Sequence, residues 1–280
     1  MKKQEEMVKV EDVVIEVVGK EEDLVEKELS EEELVKIAAQ EKSMSDLKAG
    51  WQPKTSLGKK VKEGIITDFE EILDQGAPLF EPEIIDILVP QLESDLLMIG
   101  QAKGKFGGGQ RRVFRQTQKK TAEGNKPNFA TCVVVGNKNG YFGVGYGKSK
   151  ETVPARDKAM RRAKLSLKKI RRGCGSWECG CHEPHSIPYM VEGKCGSIRL
   201  LLIPAPRGKG LVAQKEIQKI LRLAGISDVW SKASGDTRTT LNLVYACIDA
   251  LNKLVSMKVK PDHIGALGIC EGVQKGVNHG

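Results

Sequence analysis

The sequence contains no long hydrophobic run and no apolar segment near its amino terminus. Nowhere do about 18 uninterrupted apolar residues occur, as a membrane-spanning helix requires. The first residues, MKKQEEMVKVEDVVIEVV, lack the apolar core of a secretory signal. The seven cysteines are an odd number in a chain of 280 residues, which fits reduced thiols better than a disulfide framework. These absences predict a soluble, cytoplasmic protein.

A complete nucleotide-binding loop is also missing, although GYGKS at 145–149 ends like one. The motif G-x-x-x-x-G-K-S/T would need a glycine where the chain has Phe142. The pair Asn139-Gly140 lies between two apolar runs and predicts a β-hairpin instead. No nucleophile stands beside an identifiable general base. The sequence therefore predicts a protein that is not an enzyme.

The glycines of this segment predict a close contact between a strand and a helix. Strand side chains alternate, so three apolar residues share one face and three glycines the other: Phe142, Val144 and Tyr146 against Gly143, Gly145 and Gly147. A glycine face indicates that another element approaches the backbone closely. After Pro154, small and apolar residues recur at helical spacing: Ala155, Ala159, Ala163, Leu167 and Ile170. This helix is expected to pack on the glycine face.

Positive charge is concentrated in most of the chain beyond its first 50 residues. The formal net charge is +8, although acidic residues outnumber lysines in 1–50. Lysine and arginine cluster in the glycine-rich stretch QAKGKFGGGQRRVFRQTQKK (101–120) and between the apolar positions of the predicted helix. Such clustering is typical of proteins that bind nucleic acid. The alternative is a charge distribution that serves only solubility.

The pattern of residues predicts an α+β protein with six successive segments. The expected segments are an acidic extension (1–48), a linker with short helices at 68–75 and 82–90 (49–99), three strands and a helix (100–172), a cysteine-rich connector (173–185), a compact α/β domain (186–255) and a tail (256–280). Within the α/β domain we expect strands at 187–192, 197–203 and 227–233, helices at 214–224 and 239–254, and a turn at Gly193.

Two long stretches of the chain carry a family resemblance. FATCVVVGNKNGYFGVGYGKSKETVPARDKAMRRAKLSLKKI and HSIPYMVEGKCGSIRLLLIPAPRGKGLVAQKEIQKILRLAGISDVW closely resemble the family of the universal small-subunit ribosomal protein number five. The connector RRGCGSWECGCHEPHSIPY looks like the archaeal branch of that family. The resemblance spans about residues 51–255.

The resemblance implies both a fold and a function. It implies a first domain like the double-stranded-RNA-binding fold, with a three-stranded antiparallel sheet and a helix, and a second α/β domain with a left-handed β-α-β crossover. It implies a structural constituent of the small ribosomal subunit that binds 16S-type rRNA and contacts small-subunit proteins number four, eight and two. It also implies support for translation and decoding accuracy near the path by which mRNA enters. A free-standing RNA chaperone is the second hypothesis, since it would share the basic faces.

The resemblance further assigns candidate rRNA contacts. By position, they are Lys103, Lys105, Arg111, Arg112 and Arg115 in a glycine-rich loop, Lys148, Lys150, Arg156, Arg161, Arg162, Arg171 and Arg172 along the hairpin edge and the helix, and Arg207 and Lys209 in a glycine turn. The glycine turn is expected to precede a helix directly, which would make an anion site. For each single cation, a solvated surface residue is the alternative. Residues 115–131 are longer than the family pattern and predict an additional lysine-rich hairpin tip.

The connector concentrates cysteine and histidine. Thiolate and imidazole are zinc ligands, and the candidate set is Cys174, Cys179, Cys181 and His182, with His185 or Cys195 as other choices for the fourth ligand. The spacing C-x4-C-x-C differs from the paired C-x2-C form, and reduced thiols are also ordinary packing residues. The prediction is therefore no cofactor, with structural zinc as the alternative.

Overall fold

The fold consists of helices packed around two main β-sheets. The computed structural model describes residues 50–102 and 111–273, and these belong to one compact unit, Leu47–Gly280. The helices are α1 (Ser56–Lys62), α2 (Phe69–Asp74), α3 (Glu83–Leu88), α4 (Thr152–Leu165), α5 (Lys215–Leu223), α6 (Thr240–Ser256) and α7 (Pro261–Ala266). The strands are β1 (Glu93–Leu97), β2 (Arg115–Thr121), β3 (Gly124–Gly136), β4 (Tyr141–Ser149), β5 (Lys168–Lys169), β6 (Arg171–Arg172), β7 (Val191–Cys195), β8 (Ile198–Pro204), β9 (Leu211–Val212), β10 (Val229–Ser234) and β11 (Cys270–Glu271).

The acidic extension predicted at 1–48 lies outside the described residues. In the described part of the chain, no helix combines the length and the apolar character that crossing a membrane would need.

The long strand β3 organises the first sheet. One edge of β3 pairs with β4, and the other edge pairs with β1 at its carboxyl end and with β2 at its amino end, all antiparallel. The β2–β3 hairpin turns at residues 122–123, and most of its side chains are exposed. A lysine-bearing hairpin is therefore present at 115–131, as predicted, and its being additional to the family pattern stays a prediction. Strand β1 was missed, because residues 93–97 were assigned to the linker.

The β3–β4 connection is the hairpin that Asn139-Gly140 predicted. Its turn is held by the side chain of Asn137, whose Oδ1 accepts hydrogen bonds from the amides of Asn139 and Tyr141 at 2.9 Å each. Gly140 has a φ of 101°, which a residue with a side chain rarely adopts.

Helix α4 lies directly on the glycine face of β4, as predicted. A Cβ atom added at Gly145 would lie 2.1 Å from the carbonyl oxygen of Ala159. Gly143 and Gly147 meet the carbonyl oxygens of Ala163 and Ala155 in the same way. The valines of β3 that face this helix complete a small core with its alanines.

The helix ends earlier than its sequence pattern predicts. The hydroxyl of Ser166 donates to the carbonyl oxygen of Val144 at 2.8 Å, and the chain turns there onto the sheet. Leu167 and Ile170 are buried, but they lie in the following segment with β5 and β6 and not on a continued helix. The helical spacing of apolar residues continues past the end of α4 only by coincidence. The segment after the turn is also buried, so it too requires apolar residues.

The second sheet has the order β7-β8-β10-β9 and is covered by α5 and α6. Among the described strands, β9 and β10 form the one parallel pair, and α5 connects them. The predicted turn at Gly193 is wrong: the β7–β8 turn lies at residues 196–197, where Gly196 has a φ of 62°. Gly193 is inside β7, and a Cβ atom there would lie 2.0 Å from the carbonyl oxygen of Ala246 in α6. The sequence alone does not distinguish a glycine that forms a turn from a glycine that allows a helix to pack closely on a strand.

One hydrophobic core connects the two sheets. It contains Leu97 of β1 and Phe142 of β4 together with Leu221 of α5 and Leu251 of α6. The buried carboxylate of Glu216 in α5 accepts a hydrogen bond from the amide of Met98 at 2.8 Å, just beyond β1. The division into two separate domains stays a prediction.

The segment 49–99 is more structured than a linker. The two short helices predicted there are α2 and α3, and α1 was missed, although the side chain of Thr55 caps it by accepting from the amide of Gly58 at 3.0 Å. These helices form a second core that includes Tyr141, whose ring contacts Phe69 edge to face at 5.3 Å.

Candidate nucleic-acid interface

A first cationic groove forms where the two sheets meet. It has a volume of about 380 Å³ and is lined by Arg111, Arg115 and Arg238. The guanidinium of Arg111 donates to the hydroxyl of Thr240 at the start of α6, at 3.3 Å. Arg238 belongs to the loop before α6 and was not among the candidates from the sequence. Its only signal was an arginine in the exposed loop GDTRTT, which the family resemblance did not single out.

The glycine-rich loop begins and ends at this groove. Ala102 and Arg111 pair across the base of the loop, so its two ends are held together. Arg112 is exposed at the end of the loop. The candidates Lys103 and Lys105 lie outside the described residues.

A second cationic groove lies where β4 ends and α4 begins. It has a volume of about 720 Å³ and is lined by Lys148, Lys150 and Lys158, and Glu151 also belongs to its wall. Arg156, Arg161 and Arg162 are exposed on α4. The guanidinium of Arg162 also donates to the carbonyl oxygen of Tyr146 at 2.8 Å, which directs this side chain along β4.

The remaining lysines of the predicted cationic helix contact the protein itself. Lys164 forms an ion pair with Asp86 of α3 at 2.6 Å, and Lys169 pairs with Asp74 of α2. The exposed cations of α4 are therefore Arg156 and Lys158 near its start and Arg161 and Arg162 further along.

Arg171 and Arg172 do not belong to the exposed surface, so their assignment to an RNA-facing edge is wrong. Both are buried in β6, since α4 has already ended. Arg171 forms an ion pair with Glu271 of β11 and donates to the carbonyl oxygen of Met257 at 2.6 Å. Burial lowers the pKa of Arg172. The two arginines attach the tail to the body of the protein.

The turn 207–210 exposes two of the predicted cations, Arg207 and Lys209. Arg207 forms an ion pair with Glu183 of the connector at 2.8 Å. The turn leads into β9, and α5 begins only at Lys215, so the prediction that it feeds a helix directly is wrong. The turn lines a cavity of about 900 Å³, together with Lys138 and Arg222.

The connector brings three thiols and one imidazole together. The ligand atoms of Cys174, Cys179, Cys181 and His185 all lie within 4.8 Å of one another. The ring of His182, the fourth candidate from the sequence, instead contacts the carbonyl oxygen of Ala266 at 2.5 Å, so His185 replaces it. All seven cysteines carry free thiols.

The thiols of this cluster differ in their acidity. Hydrogen bonds from the backbone amides of Arg207 and Cys181 lower the pKa of Cys179 to about 6. Burial and the neighbouring thiols raise the pKa of Cys174 to about 11. Burial alone raises the pKa of Cys247 in the core to about 12, as expected for a packing residue.

An α+β fold with grooves that gather arginines and lysines from separate elements is typical of a structural RNA-associated protein. Comparisons with known proteins define the family. The family models described as "Ribosomal protein S5, N-terminal domain" and "Ribosomal protein S5, C-terminal domain" match residues 113–171 and 193–262.

Archaeal relatives match most of the chain. The small ribosomal subunit protein uS5 of Nanoarchaeum equitans is 52% identical over 222 residues, which cover 79% of this chain and 95% of the relative. The protein of the same name from Methanocaldococcus jannaschii is 48% identical over 222 residues, or 79% and 95% of the two chains. That from Pyrobaculum calidifontis is 47% identical over 209 residues, or 75% and 96%.

The chain therefore belongs to the ribosomal protein S5 family, and it is of the archaeal type. Members of this family are structural proteins of translation and not enzymes. The predicted family and the prediction that the chain is not an enzyme are therefore confirmed.

Proposed function

We propose that this chain is a structural constituent of the small ribosomal subunit in the cytoplasm and that its cationic grooves bind 16S-type rRNA. Family membership supports the ribosomal role. The observation that carries the proposed rRNA contact is the first groove, where Arg111 and Arg115, just before and at the start of β2, share the lining with Arg238 from the loop before α6. These cations come from two segments that are far apart in the sequence and converge only in the folded chain, so the groove presents a fixed array of cations.

The mechanism is positional. Arginine and lysine neutralise rRNA phosphates, and the counterions that leave the RNA provide much of the binding free energy. Because the cations stand on rigid elements, the protein selects the shape of the rRNA backbone more than its bases. The second groove, with Lys148, Lys150 and Lys158, is assigned to a neighbouring phosphate track. Arg207 and Lys209 extend the cationic surface on the second sheet.

The β2–β3 hairpin is assigned to the same interface. Lys119 and Lys126 stand directly opposite each other across its strands. Like charges in this position destabilise a hairpin, and an rRNA phosphate between the two ammonium groups would remove the repulsion.

The finer fold assignments rest on the topology of the two halves. The antiparallel order of β2, β3 and β4, followed by α4 across the sheet, supports a likeness to the double-stranded-RNA-binding fold. The parallel pairing of β9 and β10 around α5 supports the β-α-β unit of the proposed crossover, and its left hand is proposed from the family resemblance alone.

We assign the contacts with small-subunit proteins number four, eight and two to apolar side chains left exposed. Phe80 is 69% exposed, Trp177 89% and Met190 59%. Exposed large apolar residues are frequent where proteins meet. The proposed position near the path by which mRNA enters, and the support of decoding accuracy, follow from the same family assignment.

Sucrose-gradient fractionation of a native lysate in high salt tests the ribosomal role. Comigration of the chain with the small subunit is expected. A chain that stays at the top of the gradient would overturn the proposal and favour the RNA chaperone, which associates only loosely with its RNA.

The rRNA contact has its own test, which uses the purified chain and small-subunit rRNA. The combined substitutions Arg111→Ala, Arg115→Ala and Arg238→Ala should lower the salt dependence of the affinity by about one unit of slope for each lost phosphate contact. A control with the same loss of charge on the second sheet carries Lys194→Ala, Arg199→Ala and Lys232→Ala, three exposed cations outside the grooves. Equal losses in the two variants would contradict the assignment of the groove.

A further inference from the structure

The distances within the connector's cysteine–histidine cluster match those of a tetrahedral metal site. Sγ of Cys179 lies 3.3 Å from Sγ of Cys181 and 3.7 Å from Nε2 of His185. With Zn–S bonds of about 2.3 Å and Zn–N bonds of about 2.0 Å, tetrahedral geometry places neighbouring ligand atoms roughly 3.5–3.8 Å apart. Cys174 completes a set of four whose ligand atoms lie within 4.8 Å of one another. The cluster therefore needs only small shifts to enclose an ion.

The histidine of the cluster is already oriented for a metal. Its Nδ1 is 2.9 Å from Oδ2 of Asp228, so Nε2 faces the thiols. The side chains of His185 and Asp228 are only 8% and 5% exposed. Asp228 is fixed in turn, because its Oδ1 accepts a hydrogen bond from the amide of Gly210 at 2.7 Å. A carboxylate behind a histidine is the usual support of a zinc-bound imidazole.

We propose that Cys174, Cys179, Cys181 and His185 bind one zinc ion in a closed structural site. Three thiolates and one imidazole form a ligand set that zinc prefers. Since all four positions are taken by the protein, no position remains for a water molecule, and the ion holds structure without performing chemistry.

Ordinary packing of reduced thiols does not explain this cluster. A packing thiol is buried among apolar side chains, as Cys132 and Cys247 are. Cys179 and Cys181 are only half-buried, and no cysteine of the cluster belongs to the hydrophobic cores of the described residues. Convergence of three sulfur atoms on one ring nitrogen at a partly exposed position points to a shared ligand.

The zinc ion would join three parts of the chain. The amide of Cys174 donates to the carbonyl oxygen of Leu267, just after α7, at 2.7 Å. His185 contacts Asp228 just before β10, and Glu183 pairs with Arg207. The connector has no regular helix and no strand beyond β6, so an ion that cross-links it would hold the tail and the turn 207–210 in place.

Metal analysis of the purified full-length chain tests the proposal. After dialysis against metal-free buffer without chelator, we expect inductively coupled plasma mass spectrometry to find one zinc ion per chain. Replacement of zinc by cobalt should produce the visible absorption of tetrahedral Co²⁺ together with thiolate-to-cobalt charge-transfer bands. This measurement needs no variant, so it does not depend on whether a mutated chain folds. A chain that binds neither ion would overturn the proposal.

Variants identify the ligands. Cys179→Ser combined with Cys181→Ser, and separately His185→Gln, should abolish stoichiometric zinc binding. Cys195→Ser and His182→Gln are the matched controls and should keep one zinc ion per chain. Asp228→Asn should weaken zinc binding on the order of 10-fold to 100-fold. Loss of zinc from His182→Gln but not from His185→Gln would refute the assigned ligand set.

The zinc site does not depend on the proposed rRNA contact. If the chain binds no zinc, the expected results of the gradient and salt-dependence experiments do not change. If the chain does not bind rRNA, the expected zinc content does not change.

Discussion

At the scale of single residues, glycine determines how closely helices and sheets approach. In β4, Gly143, Gly145 and Gly147 each lie against a carbonyl oxygen of α4, and Gly193 of β7 lies in the same way against Ala246 of α6. Both helices present alanines at these contacts. The same arrangement of glycine below alanine therefore occurs in both sheets, where it leaves no room for a single methyl group.

The substitution Gly145→Ala should destabilise the protein by at least about 2 kcal/mol, because an added Cβ atom would lie 2.1 Å from a backbone oxygen that cannot move alone. The free energy of unfolding in urea measures the effect. Gly265→Ala is the control, since no atom lies within 4 Å of a Cβ atom added there in α7. Equal stabilities of the two variants would contradict the close contact between α4 and β4.

At the scale of elements, the β2–β3 hairpin combines poor intrinsic stability with a position open to solvent. Six of the seven residues of β2 are exposed, so this strand contributes little to either core. Two lysines stand opposite each other near its tip. The exposure and the lysines of this hairpin support its proposed assignment to the rRNA interface.

The substitution Lys119→Glu should change stability and rRNA affinity in opposite directions. A carboxylate opposite Lys126 replaces repulsion by attraction and should stabilise the isolated chain by less than about 1 kcal/mol. The affinity for small-subunit rRNA should fall. Lys120→Glu is the control with the same change of charge, because Lys120 stands opposite Asn125 and gains no ion pair across the strands. An unchanged rRNA affinity for Lys119→Glu would remove the hairpin from the interface.

At the scale of the whole molecule, the shared core connects the two halves of the described chain. Helix α5 contacts both sheets: Glu216 accepts from the amide of Met98 just beyond β1, and the side-chain amide of Gln218 donates to the carbonyl oxygen of Leu211 in β9 at 2.9 Å. The first cationic groove also depends on this shared core, since Arg111 and Arg238 line one groove only if the two sheets stay in place.

Leu221→Ala should destabilise both sheets together. Leu221 is completely buried in the core that connects them, so its truncation should cost about 2–5 kcal/mol. Native-state hydrogen exchange should show β3 and β8 losing protection by similar amounts. Val212→Ala, at a side chain that is 53% exposed, is the control and should leave both strands unchanged. Faster exchange in β8 alone would indicate that the halves unfold independently.

The sequence by itself determined the features that depend on neighbouring residues. The β3–β4 hairpin followed from Asn139-Gly140, because this pair favours the turn whatever surrounds it. The contact of α4 with the glycine face followed from two local periodicities, of two and of 3.6 residues. The family was evident from long stretches of the chain, and the cysteine-rich connector from its composition.

The tertiary structure decided where side chains go once distant segments meet. Arg171 resembled a surface cation, but its partner Glu271 is 100 residues away. His185 replaced His182 in the cluster because Asp228, 43 residues further on, orients its ring. Arg238 joined the first groove through the packing of α6 beside the loop that ends at Arg111. Local patterns describe what a segment can form, whereas burial and ion pairing depend on contacts that only the folded chain creates.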